Sequence, residues 1–348
     1  MSIPRRLPGP AVAAVLGVFL LVVAACGAPT APAAPPVPAP GAGTFPVTVA
    51  HAYGSTTVPV APRRIVVAGY TEQDIVMALG STPVGVTEWF GEQPFATWPW
   101  AQDELGSAKP EVLHSTEAGP QFERIAALHP DLIVAVNAGL DKVQYDKLAA
   151  IAPTVAQPAG AANTFAPWDV QTVQVGRAMG KEREATDLVA GIKAKFAAAA
   201  AAHPRFGGVP VIFLQAPFYE GKAIAYQNGL STAFLTDLGF VVPPDLARFA
   251  PADDTTQAYI PLENLGTLNA GKVLIWATEN AAARTELEAQ PLYRQLTPVK
   301  QGNLVFTEPE LAGAIYFTTP LSLPFVLDRL LPKLDQALKG DPATVPPA

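Results

Sequence analysis

Residues 182–202 read EREATDLVAGIKAKFAAAAAA, and this pattern predicts one long helix near the middle of the chain. Glu182 and Glu184 lie in its first turn, where negative charge suits the helix dipole, and His203 followed by Pro204 ends the pattern. A helix of this length would span about 31 Å, roughly the diameter of a domain. The chain of 348 residues is too long for one domain of ~100–200 residues. We therefore predict that this helix is a rigid spine between two compact units.

Short apolar runs alternate with helical patterns on both sides of the predicted spine. Before it, strands are predicted at residues 64–69, 83–87, 131–136 and 154–157, and helices at 72–80, 121–128, 140–151 and 168–179. After it, strands are predicted at residues 209–215, 223–227, 272–278 and 303–307, and helices at 231–239 and 319–338. Strands that alternate with helices at this spacing favour parallel sheets, so we predict two α/β units.

The two units carry a weak internal repeat. The sequence FERIAALHPDLIVAV at residues 122–136 aligns with LENLGTLNAGKVLIWA at residues 262–277. Ile125 then matches Leu265, and both copies are predicted as a helix with an acidic start, a turn and a buried strand. The alignment favours two similar halves, although units of this kind also recur by chance.

The first 46 residues differ in composition from the rest of the chain. Arg5 and Arg6 precede a continuous apolar run at residues 11–25, and these 15 residues reach only ~22 Å, short of a ~30 Å hydrocarbon layer. The sequence Val-Ala-Ala-Cys that ends at Cys26 resembles a lipobox, the signal of bacterial lipoproteins. We therefore expect residues 1–25 to be a signal peptide, and the resemblance implies lipid chains on Cys26 that anchor the protein to a membrane.

Two other interpretations of this segment stay open: a signal anchor that remains in the membrane, and an ordinary signal peptide followed by an incidental cysteine. Residues 27–46 hold seven prolines with alanine between them. Such a segment cannot bury a core and favours extended conformations. We therefore expect residues 26–46 to be a Pro/Ala-rich stalk, with the protein on the extracytoplasmic face of the cell membrane.

Composition excludes several classes of protein. Hydrophobic residues make up 49% of the chain and charged residues 15%, which suits large apolar cores. The net charge of −7 argues against nucleic-acid binding, because phosphate backbones require a basic surface. Cys26 is the only cysteine, so no internal disulfide and no cysteine-based metal site can form.

The four histidines are scattered, and the sequence contains no G-x-S-x-G, P-loop or G-x-G-x-x-G motif. We expect neither a resident cofactor, nor a direct metal site, nor an enzyme.

Several stretches resemble the substrate-binding proteins of bacterial iron–siderophore ABC importers, the class III periplasmic binding proteins. They are PRRIVVAGYTEQDIVMALGSTPVGVTEW, FERIAALHPDLIVAVNAGLDKVQYDKLAAIAPTVA, PWDVQTVQVGRAMGKEREA, YIPLENLGTL, QPLYRQLTPVKQGNLVF and LSLPFVLDRLLPKL. They occur in family order over residues 63–339, and the last resembles actinobacterial lipoproteins. The resemblance implies two α/β lobes joined by a single long helix. It places an N-terminal lobe at 47–181, the spine at 182–202 and a C-terminal lobe at 203–340. Residues 341–348 are rich in proline, so we expect a flexible tail there.

The resemblance also implies a partner and two docking residues. In this family one glutamate on each lobe docks with arginines of the membrane permease, and the matching positions are Glu123 and Glu263. The alternative is that each glutamate merely suits the dipole of the helix that it begins. We expect the protein to work as a monomer that binds a ferric siderophore and presents it to the ABC permease.

The ligand cleft is expected between the lobes, lined by loops that leave the carboxyl ends of strands. These loops are rich in aromatic residues, whose faces suit a bulky organic iron chelate, although such rings also fill cores. The predicted ligand-binding residues are Tyr70, Trp89, Trp100, Asn137, Trp168, Gln215, Phe218, Tyr219, Arg248 and Trp276.

The basic residues near the expected cleft bear on the charge of the ligand. An anionic chelate calls for arginines, and the candidates are few: Arg248, Arg284 and Lys222 in the second lobe and Lys109 in the first. This scarcity favours a neutral or cationic hydroxamate chelate of iron(III). Two alternatives stay open: a haem-binding protein of the same fold, with a Tyr or His as axial ligand, and an envelope lipoprotein with a scaffolding role.

Overall fold

The computed structural model describes residues 43–117, 119–161, 166–227, 229–252 and 256–346. The strands are β1 Val47–His51, β2 Gly54–Val58, β3 Ile65–Val67, β4 Gly85–Glu88, β5 Glu111–His114, β6 Leu132–Ala135, β7 Thr154–Ala156, β8 Val211–Gln215, β9 Lys222–Tyr226, β10 Gln257–Pro261, β11 Val273–Ala277 and β12 Leu304–Phe306. The α-helices are α1 Glu72–Ala78, α2 Gln102–Leu105, α3 Phe122–Ala127, α4 Lys142–Ala149, α5 Trp168–Ala178, α6 Glu182–Ala202, α7 Leu230–Asp237, α8 Ala281–Ala289, α9 Pro291–Gln295, α10 Thr297–Lys300, α11 Pro309–Phe317 and α12 Ser322–Lys339. Short 3₁₀ helices occur at Pro94–Ala96, Pro99–Ala101, Pro204–Phe206, Pro244–Phe249, Leu262–Ala270 and Pro342–Thr344.

The N-terminal lobe is built on a parallel sheet in the order β5-β4-β3-β6-β7. Strands β3 and β6 and the edge strand β7 are buried along their whole length, as expected where helices cover both faces of a sheet. Ile65 and Leu132 belong to the apolar core on one face, and Val66 and Ile133 to the core on the other. An antiparallel hairpin, β1–β2, adds Val49 and further apolar residues to the first of these cores.

The C-terminal lobe has a five-stranded sheet in the matching order, β10-β9-β8-β11-β12. It departs from the predicted parallel arrangement, because β9 runs antiparallel to both β8 and β10. The reason is the short connection between β8 and β9, residues 216–221, which can close a hairpin but cannot make a parallel crossover. The two lobes therefore share a sheet order but differ in the direction of one strand.

Helix α6 has the bounds that the sequence predicts and belongs to both lobes. Near its start, Ala185 packs in the core of the N-terminal lobe. Further along, Ile192 and Phe196 pack in the core of the C-terminal lobe, and Leu188 contacts both cores. The fold is thus two α/β lobes joined by a single long helix.

The internal repeat occupies equivalent positions in the two lobes. Ile125 in α3 and Leu265 in the 3₁₀ helix Leu262–Ala270 are both fully buried, and the strands that follow, β6 and β11, are equivalent in the two sheets. The second copy is a 3₁₀ helix rather than the predicted α-helix.

The ends of the described chain pack against the lobes. Phe45, within the expected stalk, packs against the core of the N-terminal lobe. The tail was expected to be frayed, but Asp341 N–H donates to the Gly302 carbonyl at 2.7 Å and Arg284 donates to the Ala343 carbonyl at 3.2 Å. The predicted signal peptide and Cys26 lie outside the described residues. Within the described ranges, no helix combines the length and the apolar character needed to span a membrane.

Candidate functional site

The two lobes meet in a group of aromatic side chains, which we call the junction cluster. Its members from the N-terminal lobe are Tyr70, Trp89, Phe90, Trp98 and Trp100, and those from the C-terminal lobe are Tyr316, Phe317 and Phe325. Each ring lies within 6.1 Å of at least one other ring of the cluster, measured between centroids.

The N-terminal lobe supplies its rings from two places. Tyr70 follows β3 and Trp89 follows β4, so both stand at the carboxyl edge of the parallel sheet, where ligand sites of such sheets form. Trp98 and Trp100 flank Pro99 at the start of a 3₁₀ helix, and their rings stack at 5.0 Å and 11°. The sequence thus places four aromatic rings on one side of this lobe.

The C-terminal lobe contributes the end of α11, a helix that the sequence analysis did not predict. The helix stops at Phe317 because Thr318 adopts a left-handed conformation (φ 47°). The Phe317 ring, 3% exposed, lies 5.5 Å from Trp89 and 5.3 Å from Trp100. At Gly313, a Cβ atom would come within 2.8 Å of the Trp98 ring, so a side chain at this position would force that ring to shift.

The junction cluster has a buried part and a half-buried part. Trp98 and Phe317 are buried and hold the lobes in contact. The remaining rings keep part of their surface exposed, namely Tyr70, Trp89, Phe90, Trp100, Tyr316 and Phe325. These rings give a bulky, partly apolar ligand an aromatic surface that both lobes contribute.

Two tyrosines extend this surface into the C-terminal lobe. Tyr316 lies 6.0 Å from Tyr226, and Tyr226 stacks on Phe213 at 5.1 Å. Burial raises the pKa of Tyr226 to about 12 and also raises the pKa of Tyr316 well above its ordinary value. Both hydroxyls therefore stay protonated at neutral pH and can donate hydrogen bonds. The sequence analysis missed both residues. The signal for Tyr316 was its pairing with Phe317 directly before the Thr-Thr-Pro sequence at 318–320.

Asp74 lies beneath the junction cluster, and its side chain joins the two lobes. One of its carboxylate oxygens accepts hydrogen bonds from Trp100 Nε1–H (2.8 Å) and from the Thr319 hydroxyl (2.5 Å). Burial raises the pKa of Asp74 to about 6, although these two donors act in the opposite direction. The charge of Glu104 adds to the increase.

A second buried carboxylate, Glu72, organises the loops next to Tyr70. It accepts hydrogen bonds from the backbone N–H groups of Asn137 (2.6 Å) and Thr71 (3.1 Å), while burial raises its pKa. A Cβ atom at Gly69 would lie 2.1 Å from this carboxylate, so a side chain there would displace the Glu72 carboxylate. Glu72 thus ties the loop after β3 to the loop after β6.

Several of the predicted ligand-binding residues come together near the junction. Tyr70, Trp89 and Trp100 are members of the junction cluster. Asn137 lies directly behind Tyr70, because its backbone carbonyl accepts from Tyr70 N–H at 3.3 Å; its side chain is buried and donates to the Thr71 hydroxyl. Trp168, at the start of α5, packs against the core of the C-terminal lobe.

The structure places the other predicted residues elsewhere. Trp276 is corrected to a core residue, because its ring is fully buried and lies 5.7 Å from Tyr293. Phe218, in the β8–β9 connection, packs edge-on against Trp276 at 5.9 Å. Gln215 ends β8, Tyr219 is exposed in the same connection, and Arg248 is exposed and donates to the Thr267 hydroxyl at 2.8 Å. Within the described residues, the ring and side-chain contacts of these four residues do not include the junction cluster.

Comparison with known proteins gives the family. A family model described as "Periplasmic binding protein" matches residues 65–311, which is most of the chain. The chain belongs to the periplasmic binding protein family. A solved periplasmic solute binding protein from Mycobacterium smegmatis is 44% identical to it, with a TM-score of 0.78 over 84% of this chain and 98% of that one.

Two further relatives carry names that mention a ligand. The solved complex of Streptococcus pneumoniae PiaA with ferrichrome is 25% identical to this binding protein, with a TM-score of 0.71 over 84% of this chain and 99% of that one. The probable siderophore-binding lipoprotein YfiY of Bacillus subtilis is 35% identical over 148 residues. That match spans 41% of this chain and 41% of the relative.

The two glutamates of the internal repeat stand on different lobes of the binding protein. Glu123 lies in the first turn of α3, and Glu263 lies in the first turn of the 3₁₀ helix Leu262–Ala270. Both side chains are exposed. Next to Glu123, Arg124 pairs with Glu111 rather than with Glu123.

No group of three or more His, Cys, Asp or Glu side chains that could hold a metal ion occurs in the part of the binding protein that the structure describes.

Proposed function

We propose that this binding protein captures a ferric siderophore at the junction cluster, without chemical conversion, and delivers it as a monomer to an ABC importer permease. The observation that carries the proposal is the half-buried aromatic surface between the two lobes of a periplasmic binding protein. Relatives that are named for siderophore binding or solved with ferrichrome support it. Exposed Glu123 and Glu263 are the proposed contacts with the permease.

The charges around the junction cluster favour a chelate of neutral or positive charge, of the hydroxamate type. The Arg248 guanidinium donates a hydrogen bond to the Thr267 hydroxyl. The Arg284 guanidinium forms an ion pair with Glu288 and lies 4.3 Å from the centroid of the Phe306 ring. Arg329 contributes an exposed guanidinium at the edge of the cluster, 5.2 Å from the Phe325 ring. An anionic chelate would lose its hydration on this surface with little compensation, because rings rather than cations cover it.

Tryptophan fluorescence tests the ligand directly. We expect ferrioxamine B to quench the protein strongly and to bind more tightly than a ferric catecholate or ferric citrate, because Trp89 and Trp100 lie on the proposed surface. Trp89→Phe should remove part of the quenching, whereas Trp276→Phe should leave it unchanged because Trp276 is buried in a core away from the cluster.

The same titration decides between the alternatives. Haem is added as a fourth probe. Quenching by haem alone, together with Soret absorption of the purified protein, would mean that the ligand is haem and not a siderophore. If none of the four probes quenches, the capture function is wrong and a scaffolding role of the envelope lipoprotein takes its place.

We also propose that lipid chains on Cys26 hold the protein on the extracytoplasmic face of the membrane, with the Pro/Ala-rich segment that precedes residue 43 as a tether. Cys26→Ser should move the protein from the membrane fraction to the soluble fraction and abolish labelling by radioactive palmitate. Thr30→Ser is the matched control, because it changes a nearby residue and keeps the cysteine. Palmitate labelling that persists in Cys26→Ser would contradict the proposed attachment site.

A further inference from the structure

Asp74 has an unusual environment for an acidic side chain. It is 1% exposed, and it belongs to α1, a seven-residue helix with six buried residues. Trp100 and Thr319 both donate to the same carboxylate oxygen, and the other oxygen, Oδ1, has no hydrogen-bond partner within the described residues. Burying a carboxylate with such incomplete pairing costs free energy, and apolar side chains of similar volume would avoid that cost. The side chain therefore does not act mainly to stabilise the fold.

Each of its two partners holds a part of the junction cluster. Trp100 stacks on Trp98 and lies 5.3 Å from Phe317, so a hydrogen bond to its indole N–H sets the orientation of a central ring. Thr319 follows Phe317 by two residues, in the turn between α11 and α12. One carboxylate thus contacts a ring of the N-terminal lobe and the turn that carries the rings of the C-terminal lobe.

The turn around Thr319 is itself well defined. Thr319 N–H donates to the Ser322 hydroxyl at 2.8 Å, and Ser322 N–H donates to the Thr319 hydroxyl oxygen at 3.0 Å. The Thr319 hydroxyl oxygen thus accepts a hydrogen bond from Ser322, and the Thr319 hydroxyl hydrogen is free to point at Asp74. The contact between the lobes therefore joins two rigid elements, a buried helix and a closed turn.

We infer that Asp74 is a positioning residue that latches the two lobes through Thr319 and so sets the spacing of the aromatic rings that would contact the ligand. The consequence for affinity rests on the proposed function, whereas the latch itself does not. Without the Asp74–Thr319 bond, the α11–α12 turn and the Trp100 segment stay in contact through the rings of the junction cluster but move more freely against each other, and ligand binding must restrict that motion.

Hydrogen–deuterium exchange of the full chain without ligand tests the latch. Thr319→Val keeps the shape of the side chain but removes the donor, and it should speed exchange at least threefold both at residues 314–325 and at residues 98–105 of the other lobe. Thr319→Ser keeps the hydroxyl and should exchange like the wild type. Ser322→Ala is the local control, because it opens the turn but leaves the Asp74 contact, so faster exchange should stay within residues 314–325.

Unchanged exchange at residues 98–105 in Thr319→Val would overturn the inference, because a purely local role of Thr319 predicts that result. The second measurement is the affinity for ferrioxamine B, which should fall about three- to tenfold in Thr319→Val and stay within twofold in Thr319→Ser. If the wild type does not bind ferrioxamine B, the proposed ligand fails, but the exchange result still decides the latch.

Discussion

Reversing the charges of Glu123 and Glu263 together should reduce cellular uptake of a ferric siderophore to the background level while leaving its dissociation constant unchanged. Both side chains are exposed and lie outside the junction cluster, so the ligand surface is untouched. A glutamate that faces a permease arginine becomes a lysine in like-charge contact, which costs several kcal/mol in a docked interface. Each single reversal should lower uptake at least tenfold without abolishing it, because the remaining glutamate still orients the protein on the permease.

The measurement is uptake of ⁵⁵Fe-ferrioxamine B by cells that carry the variant as their only copy. Glu117→Lys combined with Glu286→Lys is the matched control, because these glutamates are also exposed and also stand one on each lobe. This control should retain uptake within about twofold. Wild-type uptake by the Glu123→Lys and Glu263→Lys double variant would show that the two glutamates are ordinary helix-start residues.

The position of the two glutamates also makes docking sensitive to the arrangement of the lobes. They precede equivalent strands of the two sheets, β6 and β11, and come before and after the shared helix α6 in the chain. A permease with two fixed arginine sites engages both carboxylates only at one spacing. We therefore predict that the lobe spacing that positions the ligand is also the spacing that the permease requires.

The fold was predictable where the pattern is local and long. The spine at Glu182–Ala202 has 21 residues with helical spacing and a proline stop, and its bounds match the prediction. The buried strand Leu132–Ala135 was predictable because it is a continuous apolar run. The hairpin β1–β2 and the strand β5 were missed, because these strands are short and contain exposed, polar positions. The antiparallel direction of β9 was missed because an apolar run predicts a strand but does not show which neighbouring strand it pairs with.

The site was predictable on one lobe only. Trp89 and Trp276 look alike in the sequence, since each lies close to the end of a predicted strand. Trp89 follows the last residue of β4 and stands at the edge of the sheet, whereas Trp276 is inside β11 and points into a core. A difference of one or two residues in the strand end decides between ligand surface and core. Phe317 was missed because α11 was not recognised as a helix.

Phe317→Ala should both destabilise the protein and abolish much of its ligand affinity. The ring is 3% exposed and lies within 6.1 Å of Trp89, Phe90, Trp98 and Trp100, so its loss opens a cavity where the lobes meet. Removing a buried phenylalanine side chain costs about 3–5 kcal/mol of the free energy of unfolding. Because the lost contacts join the two lobes, we also expect affinity for ferrioxamine B to fall at least tenfold at a temperature where the variant stays folded.

Phe240→Ala separates the two effects. Phe240 is 2% exposed, but it stacks on Phe206 at 4.7 Å within the core of the C-terminal lobe, away from the junction cluster. Its removal should lower the free energy of unfolding by a similar amount, measured by chemical denaturation, yet leave the dissociation constant within about twofold. Stability loss is then equal in the two variants and affinity loss is not. Equal affinity in both variants would mean that the rings between the lobes only hold the lobes together, and that the ligand binds at another surface.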